Sequence, residues 1–81
     1  MSVYDPLRKE LQRREAETIR LSFSEIEDIL RRPLPPSAYR FSAWWGNHTS
    51  RKGHTQSMAW LLAGFEARVS LKQRVAEFRR L

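Results

Sequence analysis

Residues 55–80 read TQSMAWLLAGFEARVSLKQRVAEFRR, and their pattern determines which class of fold we expect. Its first part predicts a helix over about 55–63, because Thr55 can cap the amino end and Gly64 suits the left-handed residue that ends many helices. Three apolar side chains at i, i+3 and i+4 spacing form its expected buried face: Met58, Leu61 and Leu62. This is the strongest helix signal in the chain.

The second part predicts a β-hairpin over about 65–80. Apolar and polar residues alternate over 65–71, which is the period of a strand with one face in water. Residues 72–74, KQR, form the expected turn, and a second strand returns with Phe78 facing inward. The alternation breaks between Val75 and Phe78, so we expect a bulge there.

Two shorter elements are expected near the amino end. Asp5 and Pro6 open a helix over about 5–14, because Asp favours the start of a helix and Pro tolerates its first turn. Alternating residues over 18–23 predict a short strand with one buried face.

A second helix is expected over about 24–32. Ser24 and Glu27 have the spacing of a capping box, and Pro33 prevents the helix from continuing. A rigid proline-rich connection follows, in which one helical turn can begin near Pro36.

Aromatic residues are concentrated after this connection: Tyr39, Phe41, Trp44 and Trp45. A domain this small needs large apolar side chains, so we expect at least two of Trp44, Trp45 and Trp60 in the core. One of the two adjacent tryptophans is expected to stay half exposed. Asn47 follows a glycine, and we expect its side chain to close that turn.

Charge is distributed unevenly along the chain. The 81 residues carry 15 Lys and Arg against 9 Asp and Glu, a net charge of +6. Residues 1–28 hold seven acids and five bases, residues 29–65 hold five bases and no acid, and residues 66–81 hold five bases and two acids. A purely cationic middle is typical of a surface that meets a polyanion, because bound Lys and Arg displace the counterions of phosphates.

The predicted order of helix, strand, helix, helix and hairpin resembles that of winged helix-turn-helix domains. The expected fold class is therefore α+β, a small winged-helix-like domain of three helices with a two- to three-stranded antiparallel sheet. In such domains the third helix enters the major groove by its amino end, and the hairpin turn contacts the neighbouring backbone. The connection of residues 33–54 departs from this pattern, since it has about 22 residues where three or four are usual.

This likeness places candidate nucleic-acid contacts at the start of the third helix and in the hairpin turn. Amide and hydroxyl side chains are expected to approach base edges, and Arg and Lys are expected to bind phosphates. The candidates are Arg51, Lys52, His54, Thr55, Gln56, Ser57, Lys72 and Arg74.

Several segments resemble a family of small, uncharacterised bacterial proteins. The resemblance rests on Tyr4, Pro6 and Leu7, on FSEIEDIL at 23–30, on LPPSA at 34–38, on WWGN at 44–47 and on QSMAWLLAGF at 56–65. It covers nearly the whole chain, and it implies no catalytic residue.

Residues with catalytic potential have simpler explanations. His48 and His54 could form an acid and base pair for phosphodiester cleavage, but no carboxylate lies between residues 29 and 65 to orient an imidazole. The acidic residues of 25–28 fit the first turn of a helix. The chain has no cysteine, which excludes disulfides and thiolate ligands, and we expect neither a metal nor a cofactor.

We therefore predict a non-catalytic protein that binds double-stranded DNA, in bacterial or phage transcription regulation. A homodimer would suit this role, because operators are commonly bound by two-fold pairs. No signal peptide or membrane segment is visible, so we expect a cytoplasmic protein with no membrane partner. Two alternatives stay open: a protein-interaction module, such as a small inhibitor of an acidic partner surface, and a small nuclease.

Overall fold

The computed structural model describes residues 2–48 and 55–81. Within these ranges the elements are α1 Asp5–Arg13, β1 Thr18–Ser22, α2 Phe23–Leu30, α3 Pro36–Arg40, a 3-10 helix Ser42–Trp45, α4 Thr55–Leu62, β2 Phe65–Ser70 and β3 Val75–Arg80. The predicted α+β class is confirmed, with four α-helices where three are expected and a three-stranded antiparallel sheet, an arrangement consistent with a small winged-helix-like domain. The additional helix is α3, at the place where the sequence predicts a single helical turn.

The three strands form one antiparallel sheet with β3 in the centre, in the order β1-β3-β2. The pairing of β2 with β3 is continuous over all six residues of each strand, so the prediction of a bulge near Val75 is wrong. Ala76 and Phe78 are fully buried, and Val75 belongs to the outer face. The apparent break in alternation arises because the inward residue Ala76 is small.

The core lies between the inner face of the sheet and the helices. Its largest members are Trp45 and Trp60, which are 2% and 0% exposed, and Trp44 is half-buried beside them. The prediction that two tryptophans are in the core, with one of the adjacent pair partly exposed, is confirmed. Large aromatic side chains supply much of the buried area in a domain of this size.

The start of α2 differs from the prediction. Ser22 caps this helix: its hydroxyl accepts a hydrogen bond from the Glu25 N–H at 3.0 Å, and the Glu25 carboxylate accepts one from the Ser22 N–H at 2.9 Å. These bonds to Ser22 lower the pKa of Glu25 below its usual value. The capping box therefore lies two residues before the expected pair of Ser24 and Glu27, because β1 runs directly into the helix.

Glu27 joins α2 to α3 instead of capping its own helix. Its carboxylate accepts hydrogen bonds from the Leu34 N–H at 2.8 Å and from the Tyr39 hydroxyl at 3.0 Å. Burial, together with this hydrogen bond and the charge of Glu27, raises the pKa of Tyr39. The contact fixes where α3 lies against α2.

The buried face of α4 is also different from the predicted one. Ser57, Ala59 and Trp60 are buried, whereas Leu62 is 56% exposed. Met58 and Leu61 are only partly buried. Trp60 is the largest apolar side chain of the helix, and its burial decides which face packs against the core.

Replacing Ser22 with Ala should lower the free energy of unfolding by about 1 kcal/mol, because the Glu25 N–H loses its capping acceptor. Chemical denaturation measures this change. Ser24→Ala is the matched control, since Ser24 is exposed and makes no cap, and it should have little effect. A larger loss for Ser24→Ala than for Ser22→Ala would contradict the position of the cap.

Candidate nucleic-acid interface

Asn47 connects the segment after the 3-10 helix to both the sheet and α4. Its Oδ1 accepts hydrogen bonds from the Ala67 N–H at 2.8 Å and the Trp60 indole N–H at 2.9 Å. Its Nδ2 donates to the Ala67 carbonyl at 3.1 Å. Since β2 is an edge strand, this amide occupies backbone groups that a further strand could use. The expectation that Asn47 closes its own turn is therefore wrong.

Gly46 and His48 pack closely on either side of Asn47. A Cβ atom at Gly46 would clash with Nε2 of the His48 ring and lie 2.7 Å from its Cδ2. The His48 carbonyl accepts a hydrogen bond from the Ser57 hydroxyl at 2.6 Å. A side chain at position 46 would therefore require the exposed His48 ring to move, and the bond from Ser57 to the His48 carbonyl attaches this segment to the start of α4.

An aromatic stack joins the helices beneath this segment. The Trp45 ring lies nearly parallel to Phe23, with centroids 4.9 Å apart, and to Trp60, with centroids 5.9 Å apart. The Trp45 indole N–H donates to the Ala38 carbonyl at 2.9 Å, so the buried ring keeps a hydrogen-bond partner. The stack holds α2, the 3-10 helix and α4 in fixed positions.

The start of α4 offers fewer groups to a ligand than the sequence predicts. Ser57 is 1% exposed and its hydroxyl donates to the chain itself, so the expectation that it approaches base edges is wrong in this structure. Gln56 is half-buried, and its Nε2 donates to the Trp44 carbonyl at 3.4 Å. Thr55 is the first residue of α4. Three further candidates lie outside the described residues: Arg51, Lys52 and His54.

The turn between β2 and β3 exposes Lys72 and Arg74. Arg74 has a left-handed backbone, with φ of 54°. Its guanidinium lies 5.3 Å from the centre of the Tyr39 ring, and its carbonyl accepts a hydrogen bond from the Phe23 N–H at 2.9 Å. The turn is therefore held against α2 and α3.

The start of α4 and the hairpin turn contact different sides of α3. Ser37 and Phe41 line a pocket together with Gln56, whereas Tyr39 contacts Arg74. Ser37 and Tyr39 are two residues apart in α3 and so point about 200° from one another, which places Ser37 of the pocket wall and the turn on nearly opposite faces of this helix. Gln56 and Arg74 thus lie near different sides of α3, and Arg51 and Lys52 lie outside the described residues.

A second group of cations, outside the eight candidate contacts given above, lies on the outer face of the sheet. Arg20, Arg68 and Arg79 are exposed there, and none of them makes an ion pair with another described residue. In register, Arg20 and Arg68 both lie opposite Glu77, and Glu66 is the second carboxylate of this face. The same alternation that predicts the buried residues could have located these arginines.

Residues 2–48 and 55–81 contain no cluster of three or more His, Cys, Asp or Glu side chains that could hold a metal ion. In the same ranges, no helix has the length and apolar character needed to cross a bilayer.

Comparison with known proteins identifies a family whose function is unknown. A family model described as a domain of unknown function, DUF7662, matches residues 4–81. No curated protein and no solved structure matches the chain. The prediction that the chain belongs to an uncharacterised family is therefore confirmed.

Replacing Asn47 with Ala should lower the free energy of unfolding by about 3 kcal/mol, because the Trp60 indole and the Ala67 backbone lose their partners. Asn47→Asp keeps the acceptor oxygen but cannot donate to the Ala67 carbonyl, so we expect a smaller loss. Urea denaturation monitored by tryptophan fluorescence measures both. The exposed Gln12→Ala is the control, and equal stability of the Asn47→Ala and Gln12→Ala variants would contradict the role of Asn47.

Proposed function

Since the chain belongs to the DUF7662 family, a domain of unknown function, we propose from its geometry that it is a non-catalytic protein that binds duplex DNA. The observation that carries the proposal is a group of five exposed residues on the hairpin turn and the outer sheet face. We call these the sheet cations: Arg20, Arg68, Lys72, Arg74 and Arg79. Bacterial or phage regulation is the setting that we propose.

The sheet cations differ from the arginines near α1 and from Arg80, which have carboxylate partners. Arg13 and Arg14 both pair with Glu10, and the hydrogen bonds from these arginines lower the pKa of that carboxyl. Arg80 lies 4.0 Å from Glu17. Within the described part of the chain, no sheet cation has such a partner. Cations without a carboxylate partner are the ones able to exchange water for phosphate and release counterions.

The spacing of the sheet cations suits an extended polyanion. Arg20 and Arg68 lie on the two outer strands opposite the same residue of β3, so their backbones are two strand spacings apart, about 10 Å. On the outer sheet face, Arg20, Arg68 and Arg79 against Glu66 and Glu77 leave a net charge of +1, and the adjoining hairpin turn adds Lys72 and Arg74. Long arginine side chains over that span can follow the closely spaced phosphates of a duplex.

The proposed contacts are made chiefly to the DNA backbone. Phosphate contacts position a protein on a duplex and carry no sequence information by themselves. The winged-helix-like order supports a backbone contact by the hairpin turn, as in domains of that type. Thr55 and Gln56 stay candidates for base contacts, and Arg51 and Lys52 for further phosphate contacts. We expect affinity that depends strongly on salt and weakly on sequence.

Removing two sheet cations should reduce the salt dependence of binding. We choose Lys72→Gln with Arg74→Asn, because Asn tolerates the left-handed backbone at position 74. For a random-sequence duplex, the slope of log affinity against log salt should fall by about 1.8, which corresponds to two phosphate contacts. Mobility shift or anisotropy across a salt series measures the slope. Arg51→Ala with Lys52→Ala tests these two candidates in the same way.

Lys9→Gln with Arg13→Gln is the matched control, since it removes the same net charge from α1. Its slope should equal that of the unaltered protein. A fall of equal size in both double variants would show that net charge alone drives binding. Failure of the unaltered protein to bind duplex at micromolar concentration in low salt would overturn the proposal and favour the protein-interaction module.

A further inference from the structure

We propose that the pocket between α3, the 3-10 helix and the start of α4 binds an unpaired nucleobase that carries a phosphate. This inference goes beyond duplex binding, because it concerns a different surface with different chemistry. The pocket has a volume of about 570 Å³, within the range of small-molecule sites. Its lining residues are Ser37, Phe41, Ala43, Trp44, Gly46, His48, Gln56 and Ser57.

Two aromatic rings in the pocket wall are accessible to a ligand. Phe41 is 59% exposed, and Trp44 is half-buried. Base stacking on such rings is a common way of holding unpaired nucleotides, because every base has a π face. The wall therefore favours a flat heteroaromatic group over a flexible aliphatic one.

The Trp44 ring is held in place before any ligand arrives. It packs edge-on against Trp45, with centroids 4.7 Å apart, and against Tyr4, with centroids 5.9 Å apart. Trp45 is itself buried, so the platform rests on the core. A ring that is already ordered loses little conformational entropy when a base stacks on it.

Gln56 supplies a polar edge beside these rings. Within the described residues its side chain makes one hydrogen bond, from Nε2 to the Trp44 carbonyl, and at 3.4 Å this bond is long. The Oε1 atom and the second N–H therefore remain for a ligand. A glutamine amide offers a donor and an acceptor side by side, which matches the edge of adenine.

Arg40 supplies a positive charge at the rim. It is exposed and makes no ion pair with a described residue. Arg40 is not one of the lining residues, but it lies three residues after Ser37, which is, so these two side chains share one side of α3. A base stacked on the aromatic wall would thus have a cation available for its phosphate.

The test uses the full chain with three ligands: adenosine, adenosine monophosphate and an oligodeoxyadenylate of about eight residues. Binding is followed by quenching of tryptophan fluorescence. Phe41→Ala should weaken binding of the monophosphate about tenfold, because it removes a stacking partner. Arg40→Gln should weaken the monophosphate and leave adenosine unchanged. A higher affinity for the oligomer than for the monophosphate would identify single strands as the source of the base, and equal affinities would identify free nucleotides.

Leu62→Ala is the matched control, because Leu62 is 56% exposed and lies outside the pocket lining. The Leu62→Ala variant should bind each ligand as the unaltered protein does. Thermal melts should show that the Phe41→Ala, Arg40→Gln and Leu62→Ala variants are all folded. Absence of quenching by all three ligands at millimolar concentration would overturn the proposal. So would equal affinities of the Phe41→Ala and Leu62→Ala variants.

The same variants separate this proposal from duplex binding. Lys72→Gln with Arg74→Asn should leave the affinity for adenosine monophosphate unchanged, and Phe41→Ala should leave the salt slope for duplex unchanged. Loss of monophosphate binding in the hairpin variant would overturn the assignment of the ligand to this pocket.

Discussion

The three hydrogen bonds of the Asn47 side-chain amide hold the main parts of the fold together. Its oxygen accepts hydrogen bonds from both the Trp60 indole N–H and the Ala67 N–H, and its nitrogen donates one to the Ala67 carbonyl. One residue thereby fixes the edge of the sheet, the buried ring of α4 and the chain that leaves the 3-10 helix. A buried donor without a partner is costly, so these bonds also determine which arrangement of the core is stable.

Local patterns in the sequence predict most of the elements, but not the contacts that join them. Alternation locates the hairpin, and a small inward residue at Ala76 is enough to suggest a bulge that does not exist. The predicted position of the α2 cap is wrong because Ser22 and Ser24 are chemically equally suitable, and only the end of β1 selects between them. Asn47 could not be assigned, since its partner Ala67 lies 20 residues away.

The candidate surfaces follow from how a small core is covered. Helices protect one face of the sheet, so the other face stays in water and presents Arg20, Arg68 and Arg79. The core encloses Trp45 and Trp60, whereas Phe41 and part of Trp44 remain at the surface. The period of each strand could have located the first surface. The second depends on the path of the chain around α3, which local patterns do not determine.

The exchange of two hydrogens with solvent tests the account most directly: the Trp60 indole N–H and the Ala67 amide N–H, observed by NMR in deuterated water. If Asn47 accepts hydrogen bonds from both groups, the two hydrogens should exchange slowly. When Asn47 is replaced, the exchange rates of both should rise together. Exchange of either hydrogen in the unaltered protein at the rate of an unfolded chain would contradict the account.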